Sequence, residues 1–318
     1  MSSSIKPGIG KKVHIIGAPL GFAAGQPGSE LGVEAMRLAP LRDRRLIDLI
    51  RDQGYEAEDR GDVEIVRPKS LPLPAENPKY LPEVVESCKN ISAAVYEALA
   101  RGAFPVILGG DHSIAIGSVS GIAKFFRERG EEFGLIWFDA HADINTPESS
   151  LSGNVHGMPL AAILGRGHEQ LVDLGGFSPK LDSRYFAHIG ARDLDEGEKA
   201  AIHALGLRDR FFTMSDIDKR GMMECVNEAI SIASQAPGGF AVTFDVDVID
   251  PRFAPGSGTL VRGGVSYREA HLALEMIAEH GGLRSFEIVE VNPMLDQSNI
   301  TVELGCELIL SALGKTII

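Results

Sequence analysis

Six short apolar runs recur along the chain: VHIIG (13–17), FPVIL (104–108), GLIWF (134–138), FAHIG (186–190), FAVTF (240–244) and FEIVEV (286–291). They are continuous rather than alternating. A strand with one wet face alternates polar and apolar residues; a strand covered on both faces, as in a parallel sheet layered by helices, does not. Between the runs lie amphipathic stretches. In residues 80–102, Leu81, Val84, Val85, Cys88, Ile91, Val95 and Leu99 recur at three- and four-residue steps before Gly102 supplies a stop. Residues 221–236, 267–281 and 300–314 have the same character. Strand–helix alternation of this kind predicts an α/β fold, a three-layer α/β/α arrangement with a mainly parallel central sheet. No repeat or linker divides the 318 residues, which predicts one domain over 1–318.

Ligands of open parallel sheets bind beyond the carboxyl ends of the strands. There the chain places GGDHS with His112, DAHAD with Asp139, His141 and Asp143, ARDLDEGE, and DVDVIDP with Asp245 and Asp247; Glu290, followed by VNP, falls within the last run. If the extended backbone continues, its period of two puts Asp139, His141 and Asp143 on one side, and Asp245 with Asp247 likewise. A single Asp after a strand is an ordinary turn former or helix cap, and a single His an ordinary polar residue. The six together are different, because four carboxylates cannot all ionise side by side without cations between them. Two divalent ions would balance the four. Carboxylates and imidazoles without thiolate suit Mn²⁺, with cobalt, nickel, iron and zinc open as well. Six ligand residues exceed one tetrahedral zinc. They suit a pair roughly 3.5–4 Å apart, which generates hydroxide near neutral pH.

Charge and cysteine usage bound the rest. Lys and Arg number 31 against 44 Asp and Glu, a net −13, so neither nucleic acid nor an anionic membrane surface is an expected partner. Cys88, Cys225 and Cys306 are too few and too scattered for a disulfide framework or a zinc knuckle and fit a reducing, cytoplasmic location. VHIIGAPLGFAAG after Lys11 and Lys12 is broken by His14, Pro19 and glycines, and reads as a first strand entering a flexible Gly-rich loop rather than a signal peptide. That loop, GAPLGFAAGQPG, fits neither phosphate-binding pattern.

GGDHS, DAHADIN, TFDVDVIDP and EVNP, in this order and spacing, resemble the ureohydrolase superfamily of binuclear manganese enzymes, from VHIIGAP to the C-terminal helix. The resemblance implies that His112, Asp139, Asp143 and Asp245 hold one ion and that Asp139, His141, Asp245 and Asp247 hold the other, with two Mn²⁺ per subunit and Co²⁺ or Ni²⁺ as substitutes. Asp143 and Asp247 would also serve catalysis. DINTPESSLSGNVHG is similar to the arginase loop that receives the amino-acid end of arginine, so Asn145, Ser150 and Ser152 would bind the α-carboxylate with Asn154 nearby. ARDLDEGE is similar to the segment facing the α-amino group, with Asp195 foremost and Asp193 and Glu198 acting through water. Taken alone, DLDEGE is also the acidic first turn of a helix over 196–205. His156 would relay protons, Glu290 would pair with the guanidinium, and Thr259 of GSGT would line the same pocket. Leu260 stands where proline often follows, which implies a local loop change. His14, His168, His188, His203, His271 and His280 match no catalytic motif. Arg268 and Glu269 match a pair that contributes to subunit contacts in a trimer or hexamer.

The implied reaction is hydrolysis of L-arginine to L-ornithine and urea by a hydroxide bridging the two ions. An agmatinase, a guanidinobutyrase or a formimidoylglutamase shares the metal motifs, but the paired loops SSLSGN and DLDEGE supply partners for both ends of an α-amino acid. A zinc deacylase of the histone deacetylase type uses fewer carboxylates, and a non-catalytic regulator would not need the intact ligand set.

Overall fold

The apolar runs become the interior strands of one sheet. The computed structural model describes residues 10–41, 43–69 and 77–317. Eight strands, β1 (Lys12–Ala18), β2 (Glu56–Asp62), β3 (Ala103–Gly109), β4 (Gly134–Phe138), β5 (Phe186–Ile189), β6 (Phe211–Phe212), β7 (Phe240–Asp245) and β8 (Leu283–Val289), pair in the order β2-β1-β3-β8-β7-β4-β5-β6. Every pairing is parallel. All residues of β3, β4 and β7 are buried, the reason their sequences do not alternate.

Helices cover both faces. One apolar layer takes its side chains from helices Glu30–Leu38, Met222–Ala233, Tyr267–His280 and Ile300–Ala312, the other from Leu81–Ala100, Ile114–Arg127 and Pro159–Ile163. Tyr267–His280 starts at a capping box between Ser266 and Glu269, so the Glu269 carboxylate serves its own helix, while Arg268 reaches Glu275 at 3.3 Å. Among the described residues no helix is long and apolar enough to cross a membrane.

Two strands escape the apolar signature. Strand β2, EAEDRGD, buries only Ala57 and lies at a sheet edge, where charged side chains guard an open row of backbone groups. Strand β6 is two residues long at the other edge. The boundary of the last run also shifts. Strand β8 ends at Val289, and Glu290 lies just outside it at φ 63°.

The strand order has a functional consequence. Strands β1 to β3 form one side of the sheet and β4 to β6 the other, and β8 and β7 fill the centre between β3 and β4. The four central strands, β3, β8, β7 and β4, therefore place their carboxyl ends side by side at a switch in direction, the usual ligand crevice of such a sheet.

Candidate active site

The imidazoles and carboxylates predicted from the strand ends do converge, but not by continued extension. Strand β4 ends at Phe138, and the next residues turn. Asp139 Oδ1 accepts the His141 backbone N–H at 2.7 Å, and Asp245 Oδ1 accepts that of Asp247 at 2.8 Å. Asp111 Oδ1 accepts the Ser113 N–H at 3.1 Å in the same way after β3. An aspartate that bonds the backbone two residues ahead bends the chain sharply. Each bend swings a second side chain back toward the strand end, so the period of two gives the right grouping for a different geometric reason. Asp143 completes the turn in the left-handed region at φ 53°, as does Glu290. Non-glycine residues rarely sit there, and such positions cluster where surrounding contacts enforce them. The Glu290 N–H is held by the Gly110 carbonyl at 2.7 Å. Gly110 is in turn pressed against the Gly-rich loop, where a Cβ would lie 1.9 Å from the Leu20 carbonyl oxygen and only glycine fits.

His112 Nδ1 lies 3.1 Å from Asp139 Oδ2, 3.0 Å from Asp143 Oδ2 and 3.3 Å from Asp245 Oδ2. His141 Nδ1 lies 3.1 Å from Asp247 Oδ2 and 3.4 Å from Asp139 Oδ1. Two ligand groups follow, His112 with Asp139 and Asp143, and Asp139 with His141 and Asp247, sharing Asp139. Despite these distances, His112 Nδ1 and Asp143 Oδ2 are buried without a hydrogen-bond partner, because the contacts are out of line for a bond. Donor atoms that converge without bonding one another suit a shared cation. Charge points the same way. Burial, followed by the charge of Asp139, raises the Asp143 carboxyl to about 7, and burial, followed by the charges of Asp247 and Asp139, raises Asp245 well above its ordinary value. Burial works against a charged His112, but the three facing aspartates outweigh it and raise its pKa. Protons compensate here for charge that divalent ions would balance, so the residues present fit a pair of cations.

The ligands have supports that no local motif announces. Thr243 Oγ1 donates to Glu287 Oε1 at 2.7 Å and lies 3.0 Å from His112 Nε2. Its lone pair therefore faces a protonated Nε2, which leaves the Nδ1 lone pair for the cluster. Trp137 Nε1 donates to Asp139 Oδ2 at 3.0 Å while its ring stacks on His112 at 4.3 Å. Asp111 Oδ2 accepts the Ala23 N–H at 2.9 Å, and the Ala23 carbonyl accepts the His156 N–H at 3.4 Å. The expected flexible Gly-rich loop is thus tethered at the rim by a buried carboxylate. His188 is fully buried, stacks on Phe211 at 4.5 Å and is pushed down to about 4 by burial, so it stays neutral.

A cavity of about 320 Å³ opens over the cluster. It is lined by His141, Asp143, Asn145, Ser150, Ser152, Asn154, His156, Asp193, Asp195, Glu198, Asp245 and Thr259 among others, and so gathers most of the substrate residues expected from sequence. A larger cavity of about 720 Å³, around Arg127, Phe177 and Lys180, flanks residues that precede β4, β5 and β7 and lies away from this chemistry. Ser150 Oγ accepts the Gly153 N–H at 3.0 Å and Ser152 Oγ that of Asn154 at 3.1 Å. Both hydroxyl protons remain to donate. Asn145 Nδ2 donates to Asp195 Oδ2 at 2.8 Å, which links the two loops expected to receive substrate. Thr259 Oγ1 donates to Asp247 Oδ2 at 2.9 Å, and neighbouring Leu260 is exposed.

Glu198 differs most from expectation. Its Oε1 accepts the N–H groups of Ala142 and Asp143 at 3.1 and 3.0 Å, and its Oε2 accepts that of Asp195 at 3.0 Å. Asp195 returns a bond to the Glu198 N–H, forming the capping box of helix Glu196–Ala204. Glu198 faces the cavity, but both its oxygens are engaged by backbone. Glu290 Oε1 accepts the His112 N–H at 3.0 Å and contacts His156 Nδ1 at 3.1 Å. Burial lowers the pKa of His156, but the hydrogen bond and charge of Glu290 outweigh it and bring it to about 9.

Comparisons with known proteins agree over nearly the whole chain. The family described as Arginase family matches residues 11–314. An arginase of Brevibacillus brevis is 43% identical over 308 residues, 97% of this chain and 99% of that protein. The native crystal structure of arginase from Bacillus caldovelox has a TM-score of 0.88 at 41% identity, covering 98% of this chain and 100% of its own. That of Entamoeba histolytica arginase in complex with L-ornithine has a TM-score of 0.85 at 27% identity, covering 96% and 100%.

Proposed function

The chain belongs to the arginase family, and we infer that it hydrolyses L-arginine to L-ornithine and urea with two divalent cations held in its His/Asp cluster. One observation carries the metal assignment: His112 Nδ1 and Asp143 Oδ2 are buried among carboxylates and converge without bonding. His112, Asp139, Asp143 and Asp245 would hold one ion, and Asp139, His141, Asp245 and Asp247 the other. The donor set favours Mn²⁺, with Co²⁺ or Ni²⁺ as substitutes. When bound, such a pair would supply a hydroxide nucleophile near neutral pH.

The remaining work falls to the chain. A guanidinium is always protonated and its charge is delocalised, so its carbon must be held in line for attack. Glu290 spends one oxygen on His112 N–H and His156, which leaves Oε2 to accept from the guanidinium. Once the guanidinium shares that carboxylate, His156 loses part of the charge that holds its proton and becomes a stronger acid. It is then placed to protonate the leaving amine and to exchange with solvent. Asp247, oriented by the Thr259 hydroxyl, assists proton passage toward the same amine. Asp195 and Asp193 face the α-amino group, while Ser150, Ser152, Asn145 and Asn154 present donors to the α-carboxylate. The Entamoeba arginase in complex with L-ornithine, an α-amino acid, supports a ligand of that class. The reading includes self-association as a trimer or hexamer and a cytoplasmic location, without nucleic-acid or membrane partners.

Urea release from L-arginine, agmatine and guanidinobutyrate, after loading with manganese and then with cobalt or nickel, tests the reading. Arginine is expected to be preferred by a wide margin. Preference for either substrate lacking the α-amino acid end would overturn it.

A further inference from the structure

The cavity presents an electrostatic difficulty for its own substrate. Beyond the cluster carboxylates, whose charge the two cations would balance, Asp193, Asp195 and Glu198 line it, and no lysine or arginine does among the described residues. Hydroxyl and amide donors orient a carboxylate, but they bring no positive charge to set against these three acids. Just behind the lining, Lys79 Nζ donates to Asn154 Oδ1 at 2.9 Å. The same residue's backbone N–H bonds the Gly153 carbonyl at 2.9 Å, and Asn77 Nδ2 bonds the Pro147 carbonyl at 2.5 Å. Segment 77–79 is therefore strapped across the carboxylate loop at three points.

A lysine ammonium can only donate, so the Asn154 amide is locked with its oxygen toward Lys79 and its nitrogen away from it. That nitrogen lies on the Gly25 side, where a Cβ at residue 25 would come within 3.2 Å of it. Asn154 lines the cavity with Ser150 and Ser152, so through one amide Lys79 fixes a lining side chain and brings a positive charge to the end of the cavity proposed to receive the carboxylate.

We propose that Lys79 is a specificity-determining positioning residue, whose ammonium orients Asn154 and selects a substrate bearing an α-carboxylate over its decarboxylated amine. The proposal rests on arginine as the substrate. Lys79→Met and Lys79→Arg in the manganese-loaded protein test it, with L-arginine and agmatine as substrates and calorimetric binding of L-ornithine and putrescine alongside. For Lys79→Met, the KM for arginine rises about tenfold while kcat stays within about twofold, since a half-buried charge one amide away contributes on that order. The kcat/KM for agmatine and the affinity for putrescine hold steady, ornithine binding weakens in step with arginine, and Lys79→Arg restores the parent values. Equal losses on arginine and agmatine would mean that Lys79 merely braces the loop, and no change on either would mean that it does nothing; both overturn the proposal. A parent protein that releases no urea from arginine would instead refute the reaction. Ornithine and putrescine binding need no turnover and still decide the question of Lys79.

Discussion

Replacing Glu198 by alanine separates two roles for one carboxylate. Glu198 is 5% exposed, and its oxygens accept three backbone N–H groups, those of Ala142, Asp143 and Asp195. Truncation leaves these donors without a partner in a buried site. At about 1–2 kcal/mol for each buried N–H left unpaired, the cost is about 3–6 kcal/mol. An unfolding entropy of roughly 2 cal/mol/K per residue over this chain converts that to a fall in melting temperature of about 5–9 °C. Two of the lost bonds hold the turn that carries Asp143 at φ 53°, so manganese affinity falls as well, by about tenfold as for other supports of metal ligands. Glu198→Gln keeps one oxygen for Ala142 and Asp143 and turns an amide toward the Asp195 N–H, so about a third of the effect remains. Scanning calorimetry of the chelated protein and titration with manganese measure both quantities. If Glu198→Ala melts within about 1 °C of the parent and only the KM for arginine moves, the reasoning fails, and Glu198 acts on substrate through water.

Other perturbations probe the cluster and its surroundings. Asp245→Ala is expected to abolish both full metal loading and urea release, and full activity with one ion per subunit would refute a binuclear site. Thr243→Val leaves His112 Nε2 and Glu287 without their shared partner, so it lowers metal affinity about tenfold and stability by about 2 kcal/mol, while Thr243→Ser keeps both; unchanged manganese titration would show that the tautomer needs no such support. His156→Asn should lower kcat far more than it raises KM, and the reverse pattern would make His156 a binding group. Asp250 gives a stability test with a defined sign. Burial pushes its carboxyl up, but Arg252 and the N–H groups of Arg252 and Gly263 outweigh this and hold it at about 2, below its ordinary 3.8. A depressed acid stabilises the fold above its unfolded-state value and loses that contribution as pH falls through the folded one. Asp250→Asn therefore costs about 2 kcal/mol near pH 6, and denaturation curves of variant and parent should draw together between about pH 4 and 2; a pH-independent gap would contradict the assignment.

The parallel sheet, its six inner strands and the convergence of the proposed ligands at one rim were legible in the sequence. Continuous apolar runs have few ways to be buried, and four aspartates with two histidines at strand ends make sense only around cations. The edge strands β2 and β6 were not legible, because their partners, not their own apolarity, make them strands. The placement of the metal ligands was half legible: Asp139, His141 and Asp143 do converge, but through Asx turns and a left-handed Asp143, which Glu198 holds from 55 residues away. Long-range contacts also decided which neighbours support the site. Thr243 and Glu287 set the tautomer of His112, Asp111 tethers the Gly-rich loop, and Lys79 reaches Asn154 across 75 residues. Residue type and local pattern reveal which groups are costly to bury alone. Only the packed chain reveals which distant groups offset that cost, and so which side chains brace the cluster and which stand free to face a ligand.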